Sequence, residues 1–268
     1  MTDRLEETER LAPSRGAMDS AFWDRRADRY DAAMKRSRIE GDPLLRRLRR
    51  LTDASTTVLD VGAGTGRFAL ALAPGVRHVT AVDLSEGMLA VARRDATDAH
   101  ITNLETVHAS WVQAAVEPAD IVFCAYVLPL VPDAVPFLEK LDASARKRVL
   151  LYLGAWSQDA VLDPLWRHFH GTARTPGPSH LDAFDMLGEL GIAAQVTPVE
   201  IVGHRRFATI DEAVDQFREA LLLADEPDVR EELGRLLAMW LLGRRGAYRW
   251  PLRTMPAAII HWRPGQRA

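Results

Sequence analysis

The sequence predicts a doubly wound α/β fold with a mostly parallel, seven-stranded sheet, N-terminal helices and a helical insert before the last strand. Two observations predict it. Short apolar runs rich in β-forming residues alternate with helical stretches up to residue 156. One of these runs leads directly into three closely spaced glycines, at residues 62, 64 and 66. Helices of this length between strands supply the crossovers that a parallel sheet requires.

The predicted elements follow one another without an internal repeat. Residues 20–51 have the apolar spacing of two amphipathic helices, with a break at Gly41-Asp42-Pro43. Five strands are then predicted at residues 56–61, 78–83, 104–108, 120–126 and 148–156. The later part is predicted to contain helices at 159–169 and 181–190, a sixth strand at 195–202, a helical insert at 210–242 interrupted near 225–227, and a closing strand at 257–262.

This order of elements divides the chain into four segments. They are an N-terminal helical cover at residues 1–52, a ligand-binding core at 53–204, a helical insert at 205–247 and the closing strand of the core at 248–268. The insert occupies the position expected of a lid over a pocket. An extra layer packed on the sheet edge is the alternative interpretation.

The composition indicates an ordinary globular protein, with 47% hydrophobic and 26% charged residues. The net charge of -3 does not favour a nucleic-acid partner for the whole chain. A single cysteine, Cys124, excludes an intrachain disulfide and a multi-cysteine metal site, and its apolar strand predicts a buried, inert thiol. The polar N-terminus and the absence of a long apolar run predict a cytoplasmic protein without a membrane partner.

Residues 58–73, VLDVGAGTGRFALALA, combine an apolar strand, a glycine turn and a helix. Residues without a Cβ allow a tight reversal and let the backbone approach a ligand. We expect backbone N–H groups of the turn and the positive end of the helix to face the crevice, where they suit a carboxylate or phosphate. Asp83 ends the second strand, where doubly wound folds often offer a carboxylate to ribose hydroxyls. A nucleoside-containing ligand is therefore predicted here.

The glycine turn resembles the first motif of class I S-adenosylmethionine-dependent methyltransferases, in which an acidic residue, here Asp60, precedes the glycines. Dinucleotide-binding folds do not need that acid. The resemblance implies a Rossmann-like methyltransferase fold with S-adenosyl-L-methionine as cofactor. It places Asp60 near the amino-acid end of the cofactor. It also places the turn beside the ribose and methionine portion of the cofactor, with contacts from Gly62, Ala63, Gly64 and Gly66.

The segment AVDLSEGMLAVARR resembles the second motif of the same family. In that motif Asp83 would bind the ribose hydroxyls, and Leu84 or Met88 would flank the adenine. The chain departs from the family after the third strand, where an acidic residue usually meets the adenine amino group. Ser110 and Trp111 occupy this position instead. Ser110 is a candidate hydrogen-bond partner of the adenine, and Trp111 is a candidate to stack on the base or enclose it. Core packing is the alternative for Trp111.

Two further segments complete the resemblance. FWDRRADRYD is similar to the helix that many members fold over the cofactor, and it places Trp23 and Tyr30 on one face, with plain packing as the alternative. ADIVFCAYVLPLVPD resembles the fourth-strand motif beside the methyl donor, where Tyr126 is a candidate to orient the acceptor. His168 and His170 are candidate general bases, and a polar structural role is the alternative. They face different sides of a helix, so no metal site is predicted.

Together these patterns predict an S-adenosylmethionine-dependent methyltransferase that acts on an oxygen, nitrogen or carbon atom of a small molecule. A nicotinamide-dependent oxidoreductase and a non-catalytic, cofactor-binding regulatory protein are the alternatives. The arginines of residues 46–50 leave RNA methylation as a minor alternative, although such arginines on a helix with leucines more often form a solvated face. The sequence does not indicate an oligomeric state.

Overall fold

The computed structural model describes residues 19–35, 39–154, 158–175, 177–202, 206–244, 247–249 and 254–267. The chain forms two compact units. Within the described residues, the larger unit takes in residues 19–154, 178–200 and 256–267, and the smaller unit takes in the remainder. No helix in these ranges combines the length and the apolar character that a membrane span requires.

The helices are numbered in chain order. They are α1 Ser20–Asp24, α2 Ala27–Lys35, α3 Pro43–Leu51, α4 Arg67–Leu72, α5 Glu86–Asp98, α6 Ala134–Ala143, α7 Gln158–His170, α8 His180–Glu189, α9 Ile210–Ala220 and α10 Pro227–Trp240. Aspartates begin the two N-terminal segments: Asp19 accepts a hydrogen bond from the backbone N–H of Phe22, and Asp42 accepts one from Leu44, each at 2.9 Å. Asp42 thus makes the predicted break at residues 41–43 the start of α3.

The strands are also numbered in chain order. They are β1 Thr57–Val61, β2 His78–Asp83, β3 Leu104–His108, β4 Ala119–Ala125, β5 Ala145–Gly154, β6 Gln195–Val202, β7 Arg206–Phe207, β8 Leu242–Arg244, β9 Ala247–Arg249 and β10 Thr254–Trp262. Seven of them form one sheet in the order β3-β2-β1-β4-β5-β10-β6. Strands β1 to β5 run parallel, and β10 runs antiparallel to β5. The predicted seven-stranded, mostly parallel sheet is confirmed.

Both faces of the large sheet carry packed side chains. On one face, Leu138 of α6 and residues of α8 belong to a hydrophobic cluster that also contains Cys124, and burial raises the pKa of this thiol. On the other face, the Phe68 ring of α4 lies edge-on to Phe123 of β4 and Tyr152 of β5, at centroid distances of 5.9 and 6.4 Å. Strands β4 and β5 are therefore buried on both sides, as their continuous apolar runs predict.

The smaller unit contains α7, α9 and α10 and a three-stranded antiparallel sheet in the order β7-β9-β8. Its core includes Trp166 of α7, Phe207, Phe217 and Leu233. The sequence pattern predicts α7 as part of the core segment 53–204. It packs instead with the helices of the insert, because its buried apolar face belongs to their hydrophobic cluster.

Candidate functional site

The strand order reverses at β1, between β2 and β4. In doubly wound sheets, ligands bind at such a point, beyond the carboxyl ends of the strands. Asp60 and the glycine turn lie at the end of β1, Asp83 at the end of β2 and Tyr126 directly after β4. The topology therefore brings the main predicted site residues of the larger unit to one edge of the sheet.

The glycine turn requires residues without a Cβ at specific positions. Gly62, Gly64 and Gly66 all adopt left-handed backbone conformations, with φ values of 71°, 55° and 77°. A Cβ on Gly62 would lie 2.2 Å from a methyl carbon of Val127, whereas a Cβ on Gly64 would meet nothing within 4 Å. Gly62 therefore lets the segment after β4 approach the turn, and Gly64 faces open space.

The backbone N–H groups of the turn are largely used within the protein. Those of Gly62 and Ala63 donate to the carbonyl oxygen of Val82 at 2.8 and 3.0 Å, and that of Gly64 donates to Asp83 Oδ2 at 2.8 Å. The expectation that these groups face a ligand carboxylate or phosphate is therefore wrong. The turn extends the pairing of β1 with β2 and holds a carboxylate of the protein in place.

Asp60 is a buried carboxylate with an unused acceptor. Its side chain is only 2% exposed, and its Oδ2 atom has no hydrogen-bond partner among the described residues. Burial raises the pKa of the Asp60 carboxyl well above its usual range, and the nearby Asp83 carboxylate raises it further, against the N–H of Ala69. The Oδ2 atom of Asp60 therefore lacks, among the described residues, a cation or donor that would stabilise its charge.

Asp83 is held rigidly at the end of β2. Its Oδ2 accepts from the Gly64 N–H at 2.8 Å and its Oδ1 from the Ser85 N–H at 2.9 Å. Burial raises the pKa of Asp83, while these two N–H groups and His108 act in the opposite direction. A carboxylate offers about four lone-pair sites, so acceptor capacity remains for a diol.

The N-terminal helices are anchored on α5 beside Asp83. Asp24, at the end of α1, accepts hydrogen bonds from the Ser85 hydroxyl at 2.6 Å and the Gly87 N–H at 2.8 Å, and these bonds lower the pKa of Asp24. A Cβ on Gly87 would lie 2.9 Å from the Asp24 backbone. Arg94 of α5 pairs with Asp31 of α2 at 3.2 Å. None of these anchoring residues is predicted as a site residue from the sequence.

Trp23 and Tyr30 are in contact, as their predicted common face implies, although a turn at residues 25–26 separates α1 from α2. Their ring centroids lie 6.1 Å apart in an edge-on arrangement. Trp23 packs against the cluster that contains Met88. Burial raises the pKa of the Tyr30 phenol, Arg67 opposes this shift, and the Asp83 carboxylate adds to it. Leu84 is half-buried beside Asp83. Of Trp23 and Tyr30, Tyr30 is therefore the one whose phenol is influenced by the Asp83 carboxylate.

Trp111 is part of the hydrophobic core of the larger unit. It is 6% exposed, and its indole N–H donates to the Phe137 carbonyl oxygen at 3.1 Å. Packing, the alternative interpretation of this residue, is the role that these contacts support. Ser110 is exposed, and its hydroxyl donates to Gln113 Oε1 at 3.0 Å.

Tyr126 is held in a strained conformation at the end of β4. Its φ of 63° lies in the left-handed region, which costs a non-glycine residue about 1–2 kcal/mol. The Tyr126 ring lies 4.9 Å from that of Tyr152, and its N–H donates to the Tyr152 carbonyl oxygen at 2.9 Å. Burial raises the pKa of both phenols, with contributions from Asp42, while Arg67 opposes the shift. Tyr126 is therefore a neutral phenol near pH 7, and 43% of it is exposed.

His168 and His170 have structural partners within the smaller unit. His168 Nε2 lies 2.9 Å from Glu232 Oε1 of α10. His170 Nε2 lies 2.8 Å from the Leu221 carbonyl oxygen, and its ring lies 4.1 Å from that of Trp166. These contacts support the alternative, polar structural role for both residues. In the part of the chain that the structure describes, no group of three His, Cys, Asp or Glu side chains is arranged to hold a metal ion.

Comparison with known proteins identifies a methyltransferase domain in the chain. A family model described as a methyltransferase domain matches residues 58–147. A ubiquinone biosynthesis O-methyltransferase from Albidiferax ferrireducens is 32% identical over 157 residues, which cover 52% of this chain and 61% of that protein. The chain spans between 38 and 66% of the length of the curated relatives that it matches.

Solved structures share the fold. A protein from Bacillus halodurans C-125, provisionally assigned as a methyltransferase, has a TM-score of 0.58 at 18% identity, covering 83% of this chain and 99% of its own. The N-methyltransferase NodS from Bradyrhizobium japonicum WM9, solved with S-adenosyl-L-homocysteine, has a TM-score of 0.50 at 13% identity, covering 88% and 98%. Residues 58–147 of this chain therefore carry a methyltransferase domain, and the fold is the one that these solved structures share.

Proposed function

We propose that this protein is a methyltransferase that binds S-adenosylmethionine at the carboxyl ends of β1 and β2 and methylates a small molecule. The unpartnered Oδ2 of buried Asp60 carries the proposal. A buried carboxylate gains most from a cation, and S-adenosylmethionine has an ammonium and a sulfonium. Asp83 has remaining acceptor capacity for the ribose hydroxyls, as the family resemblance implies.

The electrostatics of this edge favour S-adenosylmethionine over a nicotinamide dinucleotide. A dinucleotide fold offers the N–H groups of its glycine turn to a pyrophosphate. Here the N–H groups of Gly62, Ala63 and Gly64 bind oxygen atoms of the protein, and two carboxylates, Asp60 and Asp83, lie beside the turn. A pyrophosphate bound here would therefore have few free hydrogen-bond donors, and the two carboxylates would repel it.

The acceptor is proposed to lie beside Tyr126. When bound, S-adenosylmethionine supplies a methyl group that its sulfonium already activates. The chain then has to orient the acceptor and exclude water, which contributes more than a conspicuous base in such reactions. The raised pKa of Tyr126 leaves it a neutral phenol, so it would orient an acceptor by hydrogen bonding rather than remove a proton. The relative named for ubiquinone biosynthesis supports a small-molecule acceptor.

Ligand binding tests the cofactor assignment. We expect S-adenosylmethionine and S-adenosylhomocysteine, at about 100 times their Kd, to stabilise the protein by roughly 2.7 kcal/mol and to raise its Tm by about 5 to 10 °C. NAD at the same concentration should leave Tm unchanged. The Asp83→Ala variant should lose about 1–3 kcal/mol of binding free energy to S-adenosylmethionine. An equal response to NAD, or no response to either sulfur compound, would contradict the proposal.

The role of Tyr126 is tested by removing its hydroxyl. We expect Tyr126→Phe to keep the affinity for S-adenosylmethionine and to lower kcat/KM for methyl transfer to a phenol or amine probe about 2- to 12-fold, the effect of losing a neutral hydrogen bond of about 0.5–1.5 kcal/mol. Release of S-adenosylhomocysteine measures the rate. Tyr248→Phe in the smaller unit is the matched control and should keep the wild-type rate. Equal rates for wild type and Tyr126→Phe would remove Tyr126 from the acceptor site.

A further inference from the structure

A second group of charged side chains lies in the larger unit, away from Asp60 and Asp83. Arg47 of α3, Arg148 of β5, His261 of β10 and Arg263 directly after β10 belong to it. His261 pairs in register with Leu150, and Arg148 pairs with Ile121 near the amino-terminal end of β4. The proposed cofactor site lies at the opposite, carboxyl ends of the parallel strands. The two groups are therefore separate features of the sheet.

His261 connects this group to α3 and β6. The Arg47 Nη2 atom lies 3.0 Å from His261 Nε2, and the Thr197 hydroxyl lies 3.2 Å from the same nitrogen. Because a guanidinium has only donors, His261 Nε2 acts as the acceptor and Nδ1 carries the proton. His261 is 5% exposed, and its Nδ1 atom has no hydrogen-bond partner among the described residues. The buried ring thus presents an unused donor.

The neighbouring guanidinium groups add further unused donors. In the described ranges, the Nε atom of Arg47 is buried without a hydrogen-bond partner, and the guanidinium groups of Arg148 and Arg263 form no hydrogen bond or ion pair. Arg263 and Arg47 lie near enough to Arg148 to lower its pKa, and Arg47 and Arg148 both lower the pKa of His261, in each case together with burial. No carboxylate contributes to either shift. By contrast, Arg49 on the same helix is paired with Glu40 at 2.6 Å.

We infer that Arg47, Arg148, His261 and Arg263 form a binding site for a small phosphate-bearing anion. The unused polar atoms of this group are donors, three of its members are cationic, and no acidic side chain among the described residues pairs with them. A phosphate offers several acceptor oxygens and two negative charges, which matches converging guanidinium groups better than a single carboxylate does. The burial of His261 and of Arg47 Nε favours a compact anion over an extended polyanion.

Titration of the full-length protein with inorganic pyrophosphate, at constant ionic strength, tests this site by calorimetry. We expect saturable binding with one anion per chain. Arg148→Gln should weaken it at least tenfold. Arg77→Gln, which removes the same charge from an exposed position on another part of the larger unit, should leave it unchanged. Circular dichroism verifies that both variants are folded, and Arg148 is half-buried, so we expect it to tolerate the change.

A second measurement separates this site from the cofactor site. Arg148→Gln should retain the Tm shift with S-adenosylmethionine, whatever the outcome of the methyl-transfer assays. A short RNA of 12 nucleotides is the competing ligand. Absence of pyrophosphate binding by the wild type, equal weakening by both glutamine variants, or tighter binding of the RNA than of pyrophosphate would each overturn the inference.

Discussion

Replacing Asp60 by asparagine is expected to abolish most cofactor binding while it stabilises the ligand-free protein. The buried Asp60 Oδ2 is the proposed partner of the cofactor ammonium, and a hydrogen bond to a charged group contributes about 1.5–3 kcal/mol. The Kd for S-adenosylmethionine should therefore rise about 10- to 150-fold in Asp60→Asn. Calorimetry on the wild type and the variant measures the change.

The stability gain follows from the direction of the pKa shift. An acid whose pKa is raised in the folded state binds protons more tightly there than in the unfolded chain, where the pKa of Asp is about 3.9. Between these two values the folded state holds more protons, so the free energy of unfolding falls as the pH rises. The amide of the Asp60→Asn variant cannot titrate, so the free energy of unfolding of the variant does not fall with pH for this reason. We therefore expect a higher Tm for the ligand-free variant, with a difference that grows as the pH rises above the unfolded pKa of about 3.9.

Asp120→Asn is the matched control because its carboxylate has the opposite environment. The Thr57 N–H donates to Asp120 at 3.0 Å, and Lys147 pairs with it at 3.1 Å, which lowers its pKa. That stability is present above the unfolded pKa and is lost as the pH falls. Asp120→Asn should therefore lower Tm at pH 7 without affecting the affinity for S-adenosylmethionine. A loss of stability at pH 7 in Asp60→Asn would refute the proposed role of the buried charge.

The second large effect is expected at Gly62. A Cβ there would lie 2.2 Å from Val127, and the φ of 71° is strained for any other residue. Strain of about 1–3 kcal/mol and overpacking of about 1–3 kcal/mol should together destabilise Gly62→Ala by roughly 2 to 6 kcal/mol. Gly64→Ala shares the positive φ but meets no atom within 4 Å, so it should cost only about 1–2 kcal/mol. Chemical unfolding of the ligand-free variants measures both losses.

A double variant separates the two causes at Gly62. Adding Val127→Ala removes the clash and leaves the backbone strain. The free energies of Gly62→Ala and Val127→Ala should therefore be non-additive, with the double variant more stable than their sum predicts. Additive losses, or equal losses in Gly62→Ala and Gly64→Ala, would show that Val127 does not set the requirement for glycine.

The sequence predicted the large sheet closely because each strand is a local pattern. Strands β2, β3 and β6 match their predicted bounds, and β10 begins three residues earlier than predicted. The smaller unit was predicted less well. The short strands β7, β8 and β9, of two or three residues each, carry too few side chains for a periodic signal.

The candidate site was predicted in its acids and glycines but not in its supporting contacts. Asp60 and Asp83 follow from the motif. The contact between Asp24 and Ser85 joins residues 61 positions apart, and no local pattern signals it. Trp111 could not be placed from sequence because a large aromatic side chain suits both a core and a base-stacking surface. Asp42 was visible as part of a helix start, but its approach to Tyr126 and Tyr152 depends on how α3 packs.

The isolation of Cys124 within the sheet has a practical consequence. The chain has one cysteine, and in the folded larger unit its sulfur is enclosed and its ionisation suppressed. Only the thiolate reacts with alkylating reagents, so modification has to wait until the central strands separate. The rate at which the native protein reacts with such a reagent therefore reports how often the sheet opens. No label has to be introduced for this measurement.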